Sequence, residues 1–150
     1  MMKSPRAMLN PFPDPRLWGD ETRAKHLVGD LEIARENLAS IEIERDKLWF
    51  AGLFLVGARD AANDTLIEAI DAYRAGAGAR LLARAEAGDD VAASQLRRSS
   101  AAILAMARGE TPVSDALDSV GQLGVDVSQD IRDGAAAGTN AAAPVAIGIA

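Results

Sequence analysis

Asp126, Ser128 and Asp130 alternate along the chain as the first three ligands of a calcium-binding loop do, and oxygen-rich chemistry is the first possibility they raise. The loop geometry needs glycine at its sixth place and a bidentate glutamate at its twelfth. Those places hold Ile131 and Ala137. The spacing therefore fits the capping of a turn or helix better than a cation site.

His26 is the single histidine and there is no cysteine, which removes disulfides, thiolate nucleophiles, Cys-ligated metals and multi-histidine sites together. His26 stands beside the first apolar position of a charged helical pattern and reads as a surface residue. The "GAGAR" of residues 76 to 80 has the glycines of a phosphate cradle, but no strand precedes it and neither a third glycine nor a Lys-Ser/Thr pair follows. It reads as a hinge. Glu32 with Glu36, Glu42 with Glu44, and Asp89 with Asp90 are carboxylate pairs of the kind used in general acid and base catalysis. All three fall on solvated helix faces or caps. Arg74, Arg80, Arg84, Arg97 and Arg98 could grip an acidic partner, although Glu68, Asp71 and Glu86 lie near enough to pair with them within helices. The expectation is a protein with no catalytic, cofactor-binding or metal-binding residues, and not an enzyme.

The totals agree with a binding protein built from small side chains. At 150 residues the chain has the length of one domain. Its residues are 49% hydrophobic but only 4% aromatic, and 31 are alanine, so each apolar residue buries little area and the core is thin for the length. Arginine outnumbers lysine by 13 to 3, which with the alanine load is the signature of a GC-rich coding sequence. The formal charge is −6 and no block is basic enough to track a phosphate backbone, which disfavours nucleic acid as a partner.

Pro5, Pro11, Pro13 and Pro15 keep residues 1 to 19 extended. They also stand where a secretory signal would need an apolar run, so the expected location is the cytoplasm or a particle assembled there. Phe12 and Trp18, with Met8, Leu9 and Leu17, make this segment a docking arm. From Asp20 the pattern becomes helical: Ala24, Leu27, Leu31, Ala34, Leu38 and Ile41 step by three and four, and Arg45 and Leu48 take the next two places. No proline interrupts before Ala58. A helix of that extent is ~58 Å long, against a radius of gyration of roughly 15 Å for a compact domain of this size. The spacing thus predicts either a kink near Gly52 or Gly57, or a helix that projects and pairs with another chain. Shorter helices follow at about 65–75 (Thr65 and Glu68 at capping-box spacing), 79–87, 90–108 and 112–123. Residues 134 to 150 are small, uncharged and of low complexity, and form a tail outside the helical domain of 20–133. With no alternating β-branched runs, the class is all-α.

Leu48 to Ala58 are eleven uncharged residues between Lys47 and Arg59. Leu48, Trp49, Phe50, Leu53, Phe54, Leu55 and Val56 point all round a helix, which calls for burial on every side, since exposing all seven would forgo ~10 kcal/mol or more. The run is too short to cross a bilayer. The expected partners are other protein subunits, met through Phe12, Trp18, Leu27, Leu31, Leu38, Ile41, Leu48, Trp49, Phe50, Leu53 and Phe54. In composition and outline the chain resembles small, alanine-rich helical proteins of tailed bacteriophage particles. That likeness implies a structural subunit of a virion. The alternatives are a membrane-active helical protein released from a particle to form a conduit, and a helical adaptor that binds one protein partner.

Overall fold

The computed structural model describes residues 19–53 and 61–134. They are mostly helical and, among the described residues, no strand occurs. The helices are α1 (Asp20–Leu53), α2 (Ala61–Ala75), α3 (Ala77–Glu86), α4 (Asp90–Ala107) and α5 (Val113–Gln122). A last helical stretch covers 128–134. The arm residues Phe12 and Trp18, Phe54 with the rest of the uncharged run to Ala58, and the tail beyond 134 lie outside the described residues.

Local chemistry explains where these helices begin and end. Asp89, in an extended conformation, accepts the Ala92 N–H at 3.0 Å and so caps α4. At its other end the Gly109 N–H reaches the Met106 carbonyl and the Glu110 N–H reaches back to Ala105. That closing turn needs a left-handed residue, and Gly109 supplies it at φ +77°. The same arrangement ends α3 at Gly88 and α5 at Gly124. Three expectations shift. Thr65 and Glu68 lie inside α2, which starts a turn earlier at Ala61. The helix expected from 112 starts at Val113, with Pro112 at its cap position and no side-chain cap. The hinge expected at the GAGAR stretch shrinks to Gly76 alone, because the next helix, α3, starts at Ala77.

α1 and α4 run in parallel from the same end. Arg23 faces Asp90 at 3.9 Å, Asp30 faces Arg97 at 2.8 Å, and the Asn37 side-chain amide donates to Ser100 at 3.1 Å. Acids in the first turns of both helices, Asp20, Glu21 and Asp90, offset the adjacent positive dipole ends. Further along, α1 leaves α4 and pairs antiparallel with α2: Glu42 meets Arg74 at 3.8 Å, and Arg45 donates twice to Asp71 at 3.0 Å. α4 touches every other helix and carries the centre of the core. Leu96, Ile103 and Met106 of α4 are fully buried with Ile41, Ile70, Tyr73 and Val120.

In this packing the α1 seam, expected to meet another chain, faces the chain's own core. Leu31, Ala34 and Ile41 are buried in the chain's own core, with Leu27, Leu38 and Leu48 packed against it, while Ala24 is exposed. The physical reason is the second seam of the same period, Ala92, Leu96, Ser99, Ile103 and Met106 on α4, all buried, whose small members bring α1 close. Burial on every side also fails within the chain. Phe50 is 58% exposed, and Leu48 and Trp49 are half-buried.

Candidate interaction surface

α1 carries apolar residues on two opposite faces, so they nearly cancel as a net amphipathic direction. The inner face is the core seam. The outer face holds Ile33, Ile43 and Phe50, which are 45%, 56% and 58% exposed and account for three of the five exposed large hydrophobic side chains among the described residues. They belong to one stripe that again steps by three and four: Ile33, Glu36, Ser40, Ile43, Lys47, Phe50. Glu36 is exposed and Ser40 half-buried, and Lys47 meets its own-helix neighbour Glu44 at 3.3 Å.

The core fixes this outer face. Arg45 lies over the Trp49 ring at 5.4 Å while holding Asp71 with two hydrogen bonds, which join the second half of α1 to α2. The Asp71 bond raises the Arg45 pKa further above its already high value. Towards the first half of α1, Arg35 pairs with Glu86 of α3 at 3.2 Å, an exposed pair. Burial of Leu31, Ala34 and Ile41 on the inner side leaves Ile33, Ile43 and Phe50 facing away from the core.

A cleft of about 640 Å³ lies between α2, α3 and the 128–134 stretch, lined among others by Glu68, Asp71, Ala72, Arg80, Asp130 and Ile131. Its charges are partly committed. Asp130, 8% exposed, accepts the Ala77 N–H at 3.0 Å and both terminal nitrogens of Arg80 at 3.1 and 3.2 Å. Asp71 is held by Arg45. Asp126 accepts the Ser128 N–H at 2.9 Å. The two acids of the calcium-like spacing thus cap, one locally and one across the fold, and among the described residues no group of three or more acids and histidines could hold a metal ion. Arg84 pairs with Asp89 at 2.9 Å, Arg74 with Glu42 and Asp71, and Arg97 with Asp30. The arginines expected to pair along their own helices instead mostly join elements distant in sequence.

Of the residues expected at an interface whose side chains are described, Leu27, Leu31, Leu38 and Ile41 face inward, Leu48 packs at the edge of the core, Trp49 is half-buried, and Phe50 alone is exposed. Leu53 ends α1. Ile33 and Ile43 were missed. The signal was their spacing of ten and seven along the helix to Phe50, which a single-seam reading passes over. No helix among the described residues is long and apolar enough to cross a membrane. Compared with known protein families, curated proteins and solved structures, the chain matches none.

Proposed function

We propose that this chain is a non-enzymatic structural or assembly subunit of a larger protein complex, of the kind built into a tailed-bacteriophage particle. One observation carries the reading: α1 spends one face on its own core and presents Ile33, Ile43 and Phe50 on the other, turned outward by burial of Leu31, Ala34 and Ile41. Apolar side chains fixed in that way gain free energy only when another surface covers them. The net charge of −6 and the lack of any basic block favour protein over nucleic acid as the covering surface. The phage assignment rests on the likeness in composition and outline. The partners are other protein subunits, met in the cytoplasm or in a particle assembled there.

The test is the mass of the chain in extracts of its native source, followed by immunodetection across a size-exclusion column with light scattering. The expected result is a complex well above the 15.7 kDa of the free chain. A free monomer at native concentration would overturn the reading.

A further inference from the structure

We infer that the outer stripe of α1 is a pairing surface for the same stripe on a second copy of this chain, with the two helices antiparallel. The inference rests on the assembly reading above and names its partner. In an antiparallel helix pair with a two-fold axis, residue i of one chain meets residue j of the other and j meets i, so the stripe must match its own reverse. Read forwards, the stripe is Ile33, Glu36, Ser40, Ile43, Lys47, Phe50; read backwards, it is Phe50, Lys47, Ile43, Ser40, Glu36, Ile33. The resulting layers set Ile33 against Phe50, Glu36 against Lys47, and Ser40 against Ile43, each formed twice. Both layers of exposed charge unite opposite signs, and both outer layers are apolar on each side.

A partner other than this chain has no need of that reversal symmetry. The parallel alternative in register fails on charge, because it stacks Glu36 on Glu36 and Lys47 on Lys47. Against the antiparallel pairing stand the approach of Glu32 to Asp46 on one flank and of Glu44 to its own copy on the other. Glu32 and Asp46 are exposed, so solvent screens their repulsion, and the Glu44 contact occurs once, at the two-fold axis. Lys47 gives up little in turning to a partner, since its present contact with Glu44 is an exposed pair within one helix.

Sedimentation equilibrium of the purified full-length chain tests the pairing, with thermal unfolding of each variant to show that the fold is intact. The native chain is expected to dimerise reversibly. Glu36→Lys alone and Lys47→Glu alone each place like charges in both charged layers, and each is expected to weaken the dimer by about tenfold or more. The doubly reversed chain is expected to regain the dimer, and an equimolar mixture of the two single variants to form a mixed one. Because the chain has no cysteine, orientation can be read directly: Ile33→Cys with Phe50→Cys should cross-link copies on oxidation, and Ile33→Cys alone should not. A dimer indifferent to single reversal, or cross-linked by Ile33→Cys alone, would overturn the antiparallel register. A pure chain that stays monomeric while the native extract holds it in a larger complex would overturn the self-pairing and leave the assembly reading standing; a monomer in both would end both.

Discussion

The Asp130 carboxylate grips the Arg80 guanidinium with two hydrogen bonds across 50 residues of sequence. The same carboxylate takes the Ala77 N–H at the start of α3, so one buried acid both caps a helix and anchors the 128–134 stretch to it. Gly76 makes this possible. A Cβ there would overlap the Asp130 carboxyl group.

Gly76→Ala should therefore cost about 1–3 kcal/mol by displacing that carboxylate, and Asp130→Ala about 1–2 kcal/mol through the lost cap, the partly exposed ion pair adding little. In the Asp130→Ala background the collision disappears, and Gly76→Ala should cost much less. Urea unfolding of the four proteins measures the coupling, and strictly additive costs would rule out the contact.

A second expectation concerns alkaline pH. Tyr73 is fully buried, with its hydroxyl 2.6 Å from Ser99 Oγ, and burial pushes its pKa up to about 12. The folded state holds this proton more tightly than the unfolded chain, whose tyrosine titrates near 10. The associated stability is complete below pH 10 and is lost as pH rises from 10 towards 12, by ~2–3 kcal/mol in all. Tyr73→Phe should remove that slope while costing about 1 kcal/mol at neutral pH for the hydrogen bond. An unchanged alkaline slope in the phenylalanine variant would assign it to other groups.

At acid pH the sign reverses. The Ala92 N–H, and then Arg84, hold the Asp89 carboxyl below the usual aspartate range. Its contribution is present above the unfolded pKa of about 4 and fades as pH falls through the lower folded value. Asp89→Ala should cost about 1 kcal/mol at pH 7 and flatten the acid limb of the stability curve. Chemical denaturation between pH 2 and 7 measures both.

The two faces of α1 should respond to substitution in opposite ways. Ile41 is fully buried, so Ile41→Ala should cost about 2–5 kcal/mol, and Leu31→Asp should unfold the chain by placing a carboxylate in its core. Phe50→Ala should change monomer stability by under ~1 kcal/mol. Denaturation at high dilution, where association is absent, separates folding from pairing; a large loss from Phe50→Ala would show that its ring is used within the chain.

The helices themselves were readable from short-range chemistry. Asp89 before an apolar stripe, glycine after Arg108 and proline at 112 each act within a turn of their own position. Which face meets which partner was not readable. The heptad period of α1 serves a helix of the same chain as well as one from another, and only the matching seam of α4, more than fifty residues on, decides between them. Asp130 escaped for a similar reason: its partners lie at 77 and 80, and nothing local marks a carboxylate aimed at a distant helix start. The outer stripe was hidden by the inner one, since a net amphipathic direction vanishes when both faces are apolar.

The parallel pairing of α1 with α4 also sets the order of events during synthesis. Some 54 residues separate the ends of these helices, and at ribosomal rates that distance takes roughly 3–11 s to translate. Throughout that interval Leu31 and Ile41 have no α4 to cover them. The nascent chain therefore emerges with both sides of its longest helix apolar, and it acquires a single sticky side only when its own α4 arrives.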